Sequence, residues 1–246
     1  MRSIFVGIEY AGKTTLINQL QSYYNHRNRP THNDDHFTIP DSSLSPESRA
    51  EYVGYPNDVK ERMQRMQLHY HIEVIKNYPN TLISGWHIEE AVYTSMYGDD
   101  PENPYYPNYH YGFQRHYEVM TLEARLPDIV MFNVTASEDA IKERIRTNPH
   151  EYQIIREQDI SELQKRFDEE IEQSLFNSKG RLINIDTTGK TPGESLDEIL
   201  LKSEPLITDG ELAMRAIPIP DGEYEVRYEN GVRKMESKDE SRTAIR

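Results

Sequence analysis

The residues with the clearest chemical meaning stand near the start of the chain. Gly7, Gly12, Lys13 and Thr14 fit the pattern G-x-x-x-x-G-K-[ST] in the stretch "GIEYAGKT". Glycines in such a loop let backbone N–H groups turn inward around phosphate oxygens, at the positive end of the helix that follows. Lys13 would reach the β- and γ-phosphates of a nucleoside triphosphate, and Thr14 would be a ligand of Mg²⁺. The predicted nucleotide site comprises Gly7, Glu9, Tyr10, Ala11, Gly12, Lys13, Thr14 and Thr15.

The segments on either side of this loop support the prediction. The run Ile4 to Val6 is typical of a short strand, and Leu16, Ile17 and Leu20 follow at helical spacing. The motif requires a strand, a loop and a helix in this order. A chance glycine turn before a helix is therefore the weaker interpretation.

The rest of the chain alternates between strand-like and helix-like segments. Residues 57–78 predict a long helix, which Pro79 ends. Its stripe of Val59, Met63, Met66, Tyr70 and Val74 is predicted to face the core. Further strands are predicted at "TLIS" (81–84), "DIVMFNV" (128–134) and "RLINID" (181–186), and Thr191 to Glu194 has the spacing of a helix capping box.

This alternation predicts the fold class. We expect an α/β protein with a doubly wound, mostly parallel five-stranded sheet, helices on both faces, and ligand sites at the carboxyl ends of the strands. The main domain is predicted to span residues 1–205. Beyond it, residues 206–246 are predicted to form an extension with a small C-terminal β-hairpin around Asn230-Gly231.

Two aspartates follow the phosphate loop by about twenty residues. Asp34 and Asp35 stand in "NDDHFTIPD", where a carboxylate at the end of a second strand would orient and deprotonate an acceptor hydroxyl, or hold the Mg²⁺ shell through water. A turn with solvated aspartates explains the same residues equally well. The sequence leaves both interpretations open.

A second acidic group follows the "TLIS" strand. Glu89 and Glu90 lie close to its carboxyl end, where α/β folds place metal-organising or substrate-binding acids, and Trp86 could stack on a planar ring. The competing interpretation is a surface helix whose first turn carries acids because the helix dipole favours them. The position at a strand end favours the functional interpretation.

Three arginines surround a proline-containing segment. Arg144, Arg146 and Arg156 flank Pro149, and a mobile basic flap closing on phosphates would stabilise the charge on a transferring group. Ordinary ion pairing on solvated helix faces is the alternative for each arginine alone. For the three together we favour the flap.

With these residues in view, the chain resembles a known superfamily. "GIEYAGKTTL" resembles the phosphate loop of the thymidylate kinase and deoxynucleoside kinase superfamily, and "NDDHFTIP" resembles the acid-acid-aromatic segment of uridine and nicotinamide riboside kinases. "LPDIVMFNVTASEDAIKERIR" is similar to the fourth strand and the helix that lead to the lid in these enzymes, and "INIDTTGKTPGESLDEIL" to their last strand and helix. The resemblance covers residues 1–201. It implies ATP and Mg²⁺ as cofactors, a lid at about 144–158, an aspartate acting on the acceptor, and the loop before the last helix near the adenine.

The sequence also departs from that superfamily. Its members carry Asp-Arg or Glu-Arg after the third strand, whereas "GWHIEEAVY" has no arginine immediately there, and this leaves the acceptor class open. The tyrosine-rich insertion at about 94–116 has no counterpart; it forms either an acceptor pocket or a variable surface loop. The candidate substrate-binding residues are Phe37, Trp86, Glu89, Glu90, Tyr93, Tyr97 and Arg115.

Composition limits the partners. The formal charge of −14 disfavours a nucleic-acid polymer or an anionic membrane surface. The chain has no cysteine, no apolar stretch of membrane-spanning length and no signal-type start, so a cytoplasmic location is the default expectation. The oligomeric state stays open, a homodimer included.

These observations together predict a small-molecule kinase that transfers the γ-phosphate of ATP to a nucleoside or nucleoside monophosphate. A GTPase is disfavoured because no N-K-x-D guanine-binding motif occurs and D-x-x-G appears only at Asp186 to Gly189. The remaining alternative is an NTPase or a nucleotide-binding module without a small-molecule acceptor.

Overall fold

The structure is a computed structural model. It describes residues 1–35, 44–98, 100, 102, 105, 113–126, 128–217, 224–229 and 232–237, with the backbone alone for 113–116 and for the last two ranges. No helix among these residues is both long and apolar enough to cross a membrane.

A sheet of five parallel strands forms the centre of the described chain, in the order β2-β3-β1-β4-β5. The strands are β1 (Arg2–Val6), β2 (His32–Asp35), β3 (Thr81–Ser84), β4 (Ile129–Thr135) and β5 (Leu182–Asp186). In this order, β2 and β3 lie toward one edge of the sheet from β1, and β4 and β5 lie toward the other edge. The chain passes from β1 first to β2 and β3, and only later to β4. The connections therefore diverge at the carboxyl end of β1, which is where open α/β sheets bind ligands. The predicted fold class is confirmed.

Helices surround this sheet. They are α1 (Lys13–His26), α2 (Pro46–Val53), α3 (Asn57–Asn77), α4 (His87–Tyr97), α5 (Phe113–Glu123), α6 (Glu138–Thr147), α7 (Ile160–Glu172), α8 (Leu175–Ser178), α9 (Pro192–Ser203) and α10 (Asp209–Arg215). Helix α1 packs against α9, and α4 packs against α7. Right-handed crossovers place these two pairs on opposite faces of the sheet.

Local sequence explains where these elements lie. Strands β1 and β4 contain the apolar runs 4–6 and 129–132 because both of their faces are buried, and the rings of Phe5 and Phe132 stack between them at 5.0 Å. Helix α9 begins at a complete capping box formed by Thr191 and Glu194, as predicted. Ser137 caps α6 by accepting a hydrogen bond from the Ala140 N–H at 3.2 Å.

Helix α3 confirms the predicted helix but corrects the predicted core stripe. Of the five stripe residues only Val74 is buried, whereas the other four are 40 to 65% exposed: Val59, Met63, Met66 and Tyr70. The buried face instead carries Lys60, Gln64 and His71 beside Leu68, Ile72 and Ile75.

The cause of this inversion is the polar surface beneath the helix. His71 lies 3.5 Å from the Asp34 carboxylate, Gln67 donates a 2.9 Å hydrogen bond to the Asp35 carbonyl, and Lys60 donates at 2.7 Å to the Val53 carbonyl. Helix α3 therefore meets the charged end of β2 through Gln67 and His71 and the end of α2 through Lys60, and part of its apolar row faces outward.

The segment after α9 returns to the main body. Glu211 on α10 accepts hydrogen bonds from the Met1 amino group at 3.1 Å and from the Tyr24 hydroxyl at 2.5 Å, and Met214 is buried in the core. Farther along, β6 (Tyr224–Glu229) and β7 (Val232–Ser237) pair antiparallel. The predicted turn at Asn230-Gly231 lies outside the described residues.

The two faces of α3 give a stability test. Leu68→Ala should lower the free energy of unfolding by about 2–5 kcal/mol because Leu68 is fully buried. Met66→Ala should change it by less than about 0.5 kcal/mol, since Met66 is 65% exposed. Urea unfolding followed by circular dichroism measures both values. Equal losses for the two variants would contradict the orientation of this helix.

Candidate active site

The phosphate loop (residues 7–14) needs glycine at its first position. Gly7 has φ +144°, and a Cβ there would lie 2.1 Å from the carbonyl oxygen of Val134 on β4. Tyr10 and Gly12 also have positive φ, at 66° and 104°. The loop therefore turns sharply between β1 and α1 while its backbone rests directly on the neighbouring strand.

Lys13 begins helix α1, and its side chain folds back over this loop. Its ammonium group donates hydrogen bonds to the carbonyl oxygens of Gly7 at 2.6 Å and Ile8 at 3.3 Å, and lies 3.4 Å from a carboxylate oxygen of Glu89. The ammonium group is thus held at the mouth of the loop. A phosphate arriving there would meet a lysine that is already oriented.

Glu89 reaches the loop from the first turn of α4. Its carboxylate accepts a 3.2 Å hydrogen bond from the Gly7 N–H in addition to its contact with Lys13. Burial, together with the charge of Asp35, raises the pKa of Glu89 to about 7, although Lys13 opposes the change. Glu89 can therefore take up or release a proton near neutral pH.

A cleft of about 630 Å³ opens above these residues. On the side of β2 and β3 it is lined by Asp35, Ser84, Glu89 and Tyr93. On the side of β4 and β5 it is lined by Arg144, Asn148, Thr187, Lys190, Pro192 and Ser195. The phosphate loop, which contributes Glu9, Tyr10 and Gly12 to Thr14, lies between these two halves. The cleft therefore extends to both sides of the phosphate loop.

The structure separates the two candidate aspartates. Asp35 is exposed and lines the cleft, whereas Asp34 points to His71 at 3.5 Å and His32 at 3.8 Å. Burial alone would raise the pKa of Asp34, but hydrogen bonding and charge from His71 outweigh it and hold that pKa below its usual value. Only Asp35 faces the cleft.

The three candidate arginines have different environments. Arg144 lines the cleft and donates hydrogen bonds to the Tyr10 carbonyl at 2.8 Å and to the Thr187 hydroxyl at 3.1 Å. Arg146 is exposed and pairs with Glu143 at 3.3 Å. Arg156 pairs with Asp100 and lies 3.8 Å from Glu102. The structure brings only Arg144 to the phosphate loop.

The candidate substrate residues differ in whether they line the cleft or are buried away from it. Tyr93 lines the cleft and accepts a 2.8 Å hydrogen bond from the Glu9 N–H. Trp86 is fully buried and donates to Glu123 at 3.1 Å, and Tyr97 is buried and donates to Asp159 at 3.0 Å.

Glu90 and two further candidates complete this set. Glu90 is fully buried near Tyr52, whose pKa is raised by burial and then by the charge of Glu90. Phe37 and the side chain of Arg115 lie outside the described residues.

Sequence reasoning did not single out several cleft residues. Thr187 donates to the Ala11 carbonyl at 2.7 Å, and so ties the end of β5 to the phosphate loop. His150 and Lys190 also line the cleft. The order of strands offered a signal for Thr187, because it follows β5 directly at the carboxyl edge of the sheet. His150 offered none, since a histidine beside a proline has no motif.

The oxygen donors near Lys13 fit a magnesium ion bound with nucleotide. Mg²⁺ usually takes one or two protein oxygens plus phosphate oxygens rather than an all-protein cage. Thr14 is exposed at the start of α1, and the carboxylates of Asp35 and Glu89 line the same cleft. Among the described residues, no group of three or more histidines or acids is arranged to hold a metal ion without such phosphates.

Comparison with known proteins gives the fold. No protein-family model and no curated protein matches the sequence. Among solved structures, thymidylate kinase from Candida albicans is similar with a TM-score of 0.57 and 16% identity, over 82% of this chain and 90% of that one. The chain has the fold of the nucleoside and nucleotide kinases. A second similar structure with this kinase fold is deoxyadenosine kinase from M. mycoides with bound dATP, at a TM-score of 0.52 and 15% identity, over 82% of this chain and 98% of that one.

The close contact under the phosphate loop predicts the effect of adding one methyl group. Gly7→Ala should lower the free energy of unfolding by about 3 kcal/mol or more, because overpacking and backbone strain add. Gly193→Ala, in helix α9 with no heavy atom nearer than 4.0 Å to the new Cβ, is the matched control and should stabilise by up to about 1 kcal/mol. Chemical unfolding of both variants tests this; a harmless Gly7→Ala would contradict the loop geometry.

The environment of Glu89 predicts a pH-dependent stability. Between its unfolded pKa of 4.5 and its folded pKa of about 7, the folded state holds a proton that the unfolded chain has lost. The stabilisation from protonated Glu89 is therefore complete below about pH 4.5 and is lost as pH rises through about 7. Relative to Glu89→Gln, the wild type should lose up to about 3 kcal/mol across this range. Urea unfolding at pH 5 and pH 8 measures the difference, and a constant difference would refute the raised pKa.

Proposed function

We propose that the protein is an ATP-dependent kinase that transfers the γ-phosphate to a nucleoside or a nucleoside monophosphate. One observation carries this proposal. A single cleft joins the phosphate loop and Lys13 to the carboxylates of Asp35 and Glu89. A phosphate donor and an acceptor bound in the two halves would meet at Lys13, which is the arrangement that phosphoryl transfer requires.

The nucleotide occupies the phosphate loop and the half of the cleft formed by β4 and β5. Backbone N–H groups of the loop and the ammonium of Lys13 hold the β- and γ-phosphates. Thr14 would supply an oxygen ligand to Mg²⁺, and the ion would neutralise charge on the phosphates when bound. The loop from Thr187 to Thr191 then lies beside the adenine.

The acceptor occupies the half formed by β2 and β3. Asp35 faces this space and, when the acceptor is a nucleoside, accepts a hydrogen bond from the attacking hydroxyl, because Asp34 is engaged by His71. Glu89, with its pKa raised to about 7, can take the proton as the new bond forms. Tyr93 forms part of the wall behind the acceptor.

Arg144 acts from beside the loop. Its contacts with Tyr10 and Thr187 place a positive charge beside Gly12, where it stabilises bound phosphates. Arg146 and Arg156 can reach the phosphates only by leaving their carboxylate partners, Glu143 and Asp100.

A labelled-phosphate experiment tests the function. The protein is incubated with Mg²⁺ and γ-labelled ATP against nucleosides, nucleoside monophosphates and sugar-like alcohols. Label on one nucleoside or nucleotide acceptor is the expected result. Release of label as inorganic phosphate, at a rate that no acceptor changes, would reject the kinase and favour an NTPase.

The two adjacent aspartates form a matched pair for mutation. With a nucleoside as acceptor, Asp35→Asn should lower kcat by about 100-fold or more because the acceptor hydroxyl loses its oriented carboxylate. Asp34→Asn removes the same charge one residue away, on a side chain directed at His71, and should change kcat by less than about tenfold. Steady-state kinetics with the acceptor identified above measures both. The reverse ranking would assign the acid to Asp34 and overturn the role of Asp35.

A further inference from the structure

The loop between α6 and the next helical turn, here called the lid loop (residues 148–156), is fastened to the phosphate loop by a buried carboxylate. One oxygen of Glu9 accepts hydrogen bonds from the N–H groups of Ile154 at 2.9 Å and Ile155 at 3.2 Å. The other oxygen lies 2.5 Å from Nδ1 of His150. Glu9 is 8% exposed, so these contacts are largely shielded from water.

The neighbouring residue holds the same loop from a second direction. The ring of Tyr10 stacks on the imidazole of His150, with centroids 4.0 Å apart and planes 14° from parallel. The Tyr10 hydroxyl accepts a 2.8 Å hydrogen bond from the backbone N–H of His150 and donates one of 3.1 Å to the side-chain oxygen of Gln153. Two consecutive side chains of the phosphate loop are thus both directed at the lid loop.

The ion pairs of the lid loop are more exposed than Glu9: Arg156 and its partner Asp100 are 35% and 20% exposed. Glu151 is 64% exposed and pairs with Arg49 at 3.3 Å, and Arg49 also lies 5.5 Å from the Tyr152 ring centroid. Exposed ion pairs contribute little, whereas a buried carboxylate that accepts several hydrogen bonds contributes much more and is costly to lose. Glu9 is therefore the most deeply buried carboxylate attached to this loop in the part of the chain that the structure describes.

We propose that Glu9 is a positioning residue, which holds the lid loop over the cleft and sets the place of His150 at its wall. This inference rests on the proposed kinase function. In the proposed kinase, the backbone of the phosphate loop binds the nucleotide, while the side chains of Glu9 and Tyr10 bind the lid loop. Because both tasks fall on consecutive residues, a phosphate that orders the backbone also fixes where the lid loop stands.

The division of tasks makes a specific prediction for Glu9. Removing its carboxylate leaves two buried N–H groups of the lid loop without their acceptor, so the lid loop should open more often. Affinity for the nucleotide should change little, since the phosphates are bound by backbone groups and Lys13. The rate of transfer should fall, because the lid loop no longer closes the site in one position.

Hydrogen exchange of the nucleotide-free protein tests the contact itself. In Glu9→Ala the amides of Ile154 and Ile155 should exchange at least about tenfold faster than in the wild type. Glu9→Gln keeps an oxygen acceptor in place and should restore protection to within about threefold. Glu151→Ala removes an equal charge from the lid loop itself and should leave both amides unchanged. Unchanged exchange in Glu9→Ala would overturn the proposal, as would equally fast exchange in Glu151→Ala.

Kinetics of the same variants tests the consequence. Glu9→Ala should lower kcat by about tenfold or more while the Kd for ATP, measured by calorimetry, changes less than about threefold. Glu9→Gln should recover most of the lost rate. Two results would overturn the proposal. If the Kd for ATP rises as much as kcat/KM falls, Glu9 acts on nucleotide binding. If kcat is unchanged, the contact between Glu9 and the lid loop is not used in phosphate transfer. If the wild type transfers phosphate to no acceptor, the kinase function fails, and the exchange experiment still decides whether Glu9 holds the lid loop.

Discussion

The close approach of the Gly7 backbone to the Val134 carbonyl is the constraint on which the site depends. A loop that rests on β4 without any side chain between them can turn back across the carboxyl end of β1. That point is also where the chain connections diverge, so the loop stands between the two halves of the sheet. The lysine that begins α1, the acid from α4 and the hydroxyl at the end of β5 all converge on this loop.

The electrostatics of the site follow from that convergence. Glu89 is buried beside Lys13, and its burial, with a smaller contribution from the charge of Asp35, raises its pKa to about 7. Bound phosphates would add negative charge beside Lys13 and draw its ammonium away from Glu89. The same lysine contact therefore connects nucleotide binding to the proton affinity of the carboxylate proposed to serve the acceptor.

The parts of this architecture that local sequence determines were predictable. The apolar strands β1, β3 and β4 and the capping box at Thr191 each depend on a few neighbouring residues, and each was confirmed. The inner face of α3 was not predictable in this way. Its buried His71 contacts Asp34 at the charged end of β2, which lies more than twenty residues earlier in the chain. The contact between Glu9 and the lid loop joins positions about 145 residues apart, and no periodicity or motif signals such a pair.

Nucleotide affinity is the most direct test of the account, since every proposed role requires phosphates at Lys13. Calorimetric titration would compare ATP, in the presence of Mg²⁺, with AMP on the wild type and on Lys13→Ala. The account predicts that the substitution weakens ATP binding by about tenfold or more and leaves AMP binding nearly unchanged, because AMP lacks the phosphates that the lysine contacts. Equal affinity of both proteins for ATP, or no binding of ATP to the wild type, would contradict it.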